Sequence, residues 1–173
     1  MKAGIVTITN GYNYGNRLQN YAVQEALESR KIQAETIWKT TNVFDTEAPA
    51  YIRKLYIKRF LHYHLTKEEN RILNFHRFNK TYIKRSSYMI DEQIPEGLDS
   101  AYDYFIAGSD QVWNSRYNNG VDRAFFLDFT ESPKISYAAS MGIDNFPPDE
   151  VTEVVSLLKR YRSISVRENQ TVR

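Results

Sequence analysis

The sequence predicts an α/β domain built on a mainly parallel sheet, and two observations support this prediction. Segments typical of strands alternate along the chain with segments typical of helices, which is the pattern of α/β folds. The apolar runs at the strand positions are nearly continuous, as in strands that are covered on both faces. A chain of 173 residues suffices for one such domain with a real core. Strands are expected at residues 2–9, 34–38, 104–107, 134–139 and 163–167.

The first predicted unit is a strand, a loop at residues 10–16, a helix and a second strand. Because two strands flank one helix, a right-handed parallel crossover is expected. Asn16 is the expected N-cap of the helix. From residue 17 apolar residues recur at helical spacing, and they define the face that we expect to be buried: Leu18, Ala22, Val23, Ala26 and Leu27.

Residues 46–86 are predicted to form a helical insertion with a basic and aromatic surface. The spacing of apolar residues in 51–63 indicates one helix, and Thr66 with Glu69 forms a capping box for a second. Between residues 51 and 85, ten Lys or Arg stand against only two Glu. This surface is either a solvated face or a positively charged surface that binds an anionic substrate or an anionic membrane. The three His lack the spacing of metal ligands, so no metal site is expected.

The second half of the chain contains less regular segments. A short edge strand is expected at residues 124–129, and a helix is expected to open at Pro147 and Pro148. Its predicted buried face comprises Val151, Val154, Val155, Leu158 and Tyr161. The sequence stops soon after the last predicted strand, so we expect it to be the N-terminal domain of a longer protein whose C-terminal domain is absent.

Composition excludes several classes of function. The chain has no Cys, which rules out disulfides, thiolate metal sites and Cys nucleophiles. The net charge of +2 and the local basic surface do not fit a nucleic-acid-binding protein. The first apolar run is too short for a signal peptide, and no run has the length of a membrane span. A cytoplasmic protein is therefore expected.

Four loops are expected to meet at the carboxyl edge of the sheet, where open parallel sheets bind ligands. Asp110 in the second loop is the candidate catalytic group, either as a general base or as a turn acceptor. Trp113 either stacks on a sugar ring or packs in the core, and Arg167 either binds an anion or pairs with Glu168. The candidate binding residues are Asn13, Gly15 and Asn16 in the first loop, Gly108, Ser109, Gln111, Trp113 and Asn114 in the second, Ser140 and Gly142 in the third, and Arg167 in the fourth.

The loop sequences resemble one known family. Residues 9–22 are similar to the opening motif of the polysaccharide pyruvyl transferase family, with the string TNGYNYGNRLQNYA. Residues 102–114 resemble its central motif, with the string YDYFIAGSDQVWN. Residues 126–129, 134–142 and 163–168 resemble the stretches that follow, with FLDF, KISYAASMG and SISVRE. The order and spacing agree along nearly the whole chain outside the expected insertion.

The resemblance implies a Rossmann-like domain, the N-terminal half of a glycosyltransferase-B-like fold in which two domains face a cleft. It implies transfer of the enolpyruvyl unit of phosphoenolpyruvate to a sugar or a lipid-linked saccharide, with no cofactor beyond that co-substrate and no metal. Asp110 and the loop residues would then lie on the acceptor side. Two alternatives stay open, namely a glycosyltransferase that uses a nucleotide sugar and a non-catalytic binding domain in exopolysaccharide assembly. Peripheral contact with the inner face of the membrane through the basic insertion is a further expectation, whereas the oligomeric state is not predicted.

Overall fold

The computed structural model describes residues 1–9, 11–39, 49–91 and 93–169. Asn10, which was predicted in the first loop, and residues 170–173 lie outside the described residues. The strands are β1 (Lys2–Val6), β2 (Gln33–Lys39), β3 (Arg85–Ile90), β4 (Tyr104–Ala107) and β5 (Lys134–Ser136). The helices are α1 (Tyr14–Glu28), α2 (Pro49–Phe60), α3 (Lys67–Tyr82), α4 (Ser115–Asn118) and α5 (Val151–Leu158).

The five strands form one parallel sheet in the order β3-β2-β1-β4-β5, which confirms the predicted fold class. The direction in which strands are added reverses between β1 and β4. After β1 the chain adds β2 and β3 on one side, and it then returns to add β4 and β5 on the other side. The predicted last strand is present as a short stretch beside β5, where Ile135 pairs with Ser163 and Ala139 with Val166. The reversal creates a crevice at the carboxyl ends of β1 and β4, which is the usual ligand position in such sheets.

Two apolar clusters cover the two faces of the sheet. One lies under α1 and contains Ile5, Val23 and Ile106. The larger one lies on the opposite face and joins Phe105 of β4 to Trp113 and to Leu157 of α5. Coverage of both faces explains why the strand segments read as continuous apolar runs.

Helix α1 differs from its prediction in both its start and its buried face. It begins at Tyr14, and Asn13 rather than Asn16 caps it, because the Asn13 side chain accepts from the N–H groups of Gly15 and Asn16. Leu18 is 56% exposed, whereas the buried positions are mostly polar: Arg17, Asn20, Val23 and Gln24.

The buried polar residues of α1 bind polar groups of the sheet. Gln24 Nε2 donates to Thr36 Oγ1 and to the Lys84 carbonyl, each at 2.8 Å. Thr36 Oγ1 donates to Asn20 Oδ1 at 2.8 Å. Because these bonds satisfy Gln24 Nε2, Thr36 Oγ1 and Asn20 Oδ1, the polar face can point inward and the Leu18 face outward.

The predicted insertion is the connection between two parallel strands. Strand β3 was not predicted, and it pairs with β2, so α2 and α3 are the crossover between them. The capping box of Thr66 and Glu69 is confirmed at the start of α3. The predicted start of the insertion at 46–48 lies outside the described residues.

Three further predictions were wrong in detail. The first strand was predicted at 2–9 but ends at Val6, so residues 7–9 are buried without belonging to β1. Residues 123–129 form consecutive turns instead of an edge strand, since Leu127 has a φ of 54° that a strand cannot accommodate. Helix α5 starts at Val151, and it buries Leu157 while Val151 and Val155 remain over 40% exposed.

Candidate active site

The loop after β4 begins with a close approach of backbones. Gly108 N–H donates to the Val6 carbonyl at 3.1 Å, which ties this loop to the end of β1. Gly108 has a φ of 107°, and a Cβ there would lie 2.6 Å from the Tyr137 carbonyl oxygen. A side chain therefore does not fit, and glycine allows the loop to turn directly into the crevice. Ser109 follows and is half-buried.

Asp110 is the buried carboxylate of this loop, with 9% of its surface exposed. Its Oδ1 accepts from the Gln111 N–H at 2.7 Å. Its Oδ2 is buried and has no hydrogen-bond partner among the described residues. Burial raises the pKa of Asp110 above its usual 3.8, although the Gln111 N–H, the Arg167 guanidinium and the Gln19 side chain oppose that effect. One carboxylate oxygen thus holds the loop, while the other makes no hydrogen bond within the described part of the chain.

Gln19 of α1 is a site residue that sequence reasoning missed. Its side chain lies beside the Asp110 carboxylate. Its Nε2 is buried and has no acceptor at hydrogen-bond distance within the described part of the chain. Gln19 was not recognised because the predicted buried face of α1 contained Leu18, and that orientation would turn Gln19 away from the sheet. The Asp110 carboxylate and the Gln19 amide therefore interact with each other in the crevice, although neither Oδ2 nor Nε2 is at hydrogen-bond distance of a described group.

Gln111 and Asn114 form a pair beside the third loop. Asn114 Nδ2 donates to Gln111 Oε1 at 3.1 Å, while Asn114 Oδ1 accepts from the Tyr117 N–H and caps α4. A Cβ on Gly142 would lie 2.6 Å from both side chains. The second and third loops are therefore in contact, as the sequence predicted for loops at one edge of the sheet.

Ser140 joins the third loop to the fourth. Its Oγ donates to Glu168 Oε1 at 2.8 Å and accepts from the Gly142 N–H at 3.0 Å. Arg167 Nε donates to the same Glu168 oxygen at 2.8 Å. Burial would raise the pKa of Glu168, but the hydrogen bonds from Arg167 and Ser140 outweigh it and leave that pKa below 4.5. Arg167 thus pairs with Glu168, which sequence reasoning left out of the site, while its charge also acts on Asp110.

The first loop is held by its own helix. Asn13 Oδ1 accepts from Gly15 N–H at 2.8 Å and from Asn16 N–H at 3.4 Å, so these donors complete the helix cap. Arg17, which was not predicted to act here, donates through Nη2 to the carbonyls of Thr9 at 2.6 Å and Gly11 at 3.0 Å. The N–H groups of Gly15 and Asn16, two of the predicted binding residues, are therefore already bonded to the Asn13 side chain.

Trp113 is a core residue with 1% of its surface exposed. Its ring stacks on Phe126 at a centroid distance of 5.6 Å, and Nε1 donates to the Phe125 carbonyl at 3.3 Å. Of the two readings of Trp113, the structure supports packing, because a buried ring is not open to a sugar. The buried indole therefore anchors the loop that carries Asp110 to the core.

Comparison with known proteins gives a match to a family model. No helix within the described ranges is both long and apolar enough to cross a bilayer. No curated protein and no solved structure matches the chain. The family model of polysaccharide pyruvyl transferases matches residues 13–173, which include the end of the first loop and the whole of the other three. The chain is therefore a member of the polysaccharide pyruvyl transferase family.

Proposed function

We propose that this domain forms the acceptor side of an active site that transfers pyruvate from phosphoenolpyruvate to a sugar of a cell-surface polysaccharide or its precursor. Membership of the family supports the class of reaction. The observation that carries the assignment of the site is the Asp110 carboxylate, buried at a strand end with Oδ2 unpartnered among the described residues. A second domain, beyond the described residues, would close the crevice and bind phosphoenolpyruvate.

In this reaction Asp110 acts as the general base for the attacking hydroxyl. The sugar oxygen bonds to C2 of phosphoenolpyruvate as its proton passes to Asp110. C3 takes up a proton from water to become a methyl group, and Asp110 then releases its proton to water. A second hydroxyl then replaces the phosphate at C2, and its proton leaves with the phosphate, which gives a cyclic ketal. The raised pKa suits this role, because a base whose pKa lies nearer to neutrality accepts a proton more readily.

The neighbouring polar groups orient the acceptor. Gln19 Nε2 lies beside Asp110 and donates to a sugar oxygen, and Gln111 and Asn114 present amides at the rim. Arg167 provides positive charge for an anionic group while Glu168 keeps it in place. Ser109, Gly108, Ser140 and Gly142 shape the wall, and Asn13, Gly15 and Asn16 form its far side.

The proposal names phosphoenolpyruvate as co-substrate, with no other cofactor and no metal. The acceptor is a sugar or a lipid-linked saccharide, and the enzyme works in the cytoplasm. Because the proposal assigns phosphoenolpyruvate binding to a second domain, it expects these 173 residues alone to be inactive.

The reaction class is tested by incubating the full-length protein with acceptor saccharide and either phosphoenolpyruvate or a nucleotide sugar. Phosphate release and a mass gain of one pyruvate ketal, only with phosphoenolpyruvate, are the expected results. Sugar transfer from the nucleotide donor would establish a glycosyltransferase instead. If neither donor is consumed while the protein still binds saccharide, the domain is a binding module.

A further inference from the structure

Exposed apolar side chains cluster at the end of α2 and in the turn that follows it. Phe60 is 81% exposed, Tyr63 63%, Leu61 54% and Ile57 49%. Single exposed apolar residues are ordinary, but a contiguous group on one surface marks a site of interaction. We call the surface formed by residues 50–63 the α2 surface.

The apolar residues of the α2 surface border a shallow hollow of about 290 Å³. Its floor is formed by Ala50, Ile57 and Leu61, and its sides include Arg53, Lys54 and Lys58. These positions recur at intervals of three and four residues, so they share one face of the helix. The outward face of α2 is thus an apolar stripe bordered by cations.

The described residues leave this face exposed. The opposite side of α2 packs on α3, where Ile52 is 5% exposed and Leu55 is fully buried against Leu73. The apolar stripe is therefore additional to the residues that hold the two helices together.

Most of the cations on the α2 surface have no acidic partner in the described ranges. Lys58 is bonded to Glu69 at 2.5 Å. Arg53, Lys54 and Arg59 make no ion pair with a described residue. Unpaired cations beside exposed aromatic and aliphatic side chains match a partner with dense negative charge above an apolar layer.

We propose that the α2 surface binds the surface of an anionic lipid bilayer. Phe60, Leu61 and Tyr63 enter the boundary between headgroups and acyl chains, and Arg53 and Lys54 contact lipid phosphates. A second copy of the chain is a poorer occupant, because two such surfaces face to face would bring cations against cations. An anionic bilayer satisfies both the charge and the apolar stripe.

Helix α3 lies between the α2 surface and the candidate active site and contacts both α2 and the first loop. Arg71 of α3 donates to the Tyr12 carbonyl in the first loop at 2.5 Å. Tyr14, at the start of α1, packs on Phe75 of α3 with ring centroids 4.5 Å apart. A bilayer bound to α2 would therefore hold the crevice near the membrane, where a lipid-linked acceptor resides. Only the statement that the membrane supplies a lipid-linked acceptor to the crevice rests on the proposed function. Binding of the α2 surface to a bilayer does not depend on that function.

The test is co-sedimentation of the full-length protein with vesicles, in the absence of any substrate. We expect binding to vesicles of phosphatidylcholine mixed with phosphatidylglycerol, weaker binding to phosphatidylcholine alone, and weakening with salt. The double variant Phe60→Ser/Leu61→Ser should reduce the partition coefficient roughly tenfold or more. Arg53→Gln/Lys54→Gln should lower binding to the mixed vesicles only.

Matched controls separate this surface from general effects. Leu18→Ser removes a comparably exposed apolar side chain on α1, and Lys159→Gln/Arg162→Gln removes two exposed cations near α5, so both should bind as the unaltered protein does. Because Phe60 is exposed, its variant should keep its unfolding temperature. As a second readout, Phe60→Trp should gain a fluorescence blue shift when mixed vesicles are added.

Three results would overturn the proposal. The first is a failure of the unaltered protein to bind mixed vesicles at low salt. The second is equal binding by Phe60→Ser/Leu61→Ser, or a Phe60→Trp spectrum that mixed vesicles leave unchanged. The third is a dimer in light scattering that Phe60→Ser/Leu61→Ser dissociates, which would identify the surface as a contact between two copies. Failure of pyruvate transfer would leave the vesicle result standing.

Discussion

Ser140 Oγ donates a 2.8 Å hydrogen bond to Oε1 of Glu168, and this bond connects the loop after β5 to the last described segment. Arg167 donates to the same oxygen, so one carboxylate atom fixes both the loop and the guanidinium that acts on Asp110. The position of the site's positive charge thus depends on Glu168 being ionised.

Glu168→Gln should therefore reduce stability at neutral pH. Because the folded-state pKa of Glu168 lies below 4.5, its ionised form stabilises the fold above that value. The stabilisation is lost as the pH falls through the folded pKa, so the variant and the unaltered protein should converge in acid. Urea denaturation across this range measures the difference. Glu25→Gln, an exposed change on α1, is the control, and a difference that does not vary with pH would contradict the assignment.

Arg17→Lys should destabilise the first loop. The guanidinium reaches the carbonyls of Thr9 and Gly11 together and lies 5.4 Å from the Trp38 ring, whereas a single ammonium cannot reproduce this geometry. A buried carbonyl left without its donor costs about 1–3 kcal/mol in free energy of unfolding. Arg30→Lys is the matched control, because Arg30 is exposed and its side chain donates to a single carbonyl among the described residues, that of Ala26. Equal denaturation midpoints for the two variants would refute this role.

Trp113→Ala should act on stability rather than on sugar recognition. Removing the buried indole from its stack on Phe126 should cost roughly 3–5 kcal/mol of unfolding free energy. Trp113→Phe, which keeps a ring, should retain acceptor binding in a calorimetric titration of the full-length protein. A stable Trp113→Phe protein that no longer binds acceptor would restore the sugar-stacking role.

Asp110→Asn should raise stability at neutral pH. Since burial raises the folded-state pKa of Asp110 above 3.8, the folded protein loses stability as the pH rises through the interval between 3.8 and that higher value. Because the amide cannot ionise, the stability of the variant relative to the unaltered protein should rise across this interval and stay higher up to neutral pH. Thermal unfolding at several pH values measures it, with the exposed Asp149→Asn as control. A constant difference would show that burial does not act on Asp110.

The sheet was predictable because its strands are covered on both faces and therefore read as apolar runs. The exception is β3, whose sequence RSSYMI contains Ser and Arg and lies at the edge of the sheet. The face of α1 was mispredicted for a related reason. Periodicity counts apolar residues, whereas Asn20 and Gln24 are buried by hydrogen bonds to the sheet that no local pattern reveals.

The candidate site was predictable where its residues directly follow strands. Asp110, Ser140 and Arg167 all lie just beyond strand segments, so the position of the crevice followed from topology. Gln19 and Glu168 were missed because their roles depend on tertiary neighbours rather than on a motif. Trp113 is the opposite case, because it was predicted as a binding residue from its motif but packs in the core.

The central claim is that Asp110 takes the proton of the acceptor hydroxyl, and the turnover of Asp110→Asn in the full-length protein tests it most directly. Phosphate release from phosphoenolpyruvate in the presence of acceptor is the measurement, with Asp149→Asn as the control. We predict turnover roughly 10²–10⁴-fold below that of the unaltered protein, with acceptor binding retained. Turnover that equals the control would contradict the account and leave Asp110 as a residue that only shapes the loop.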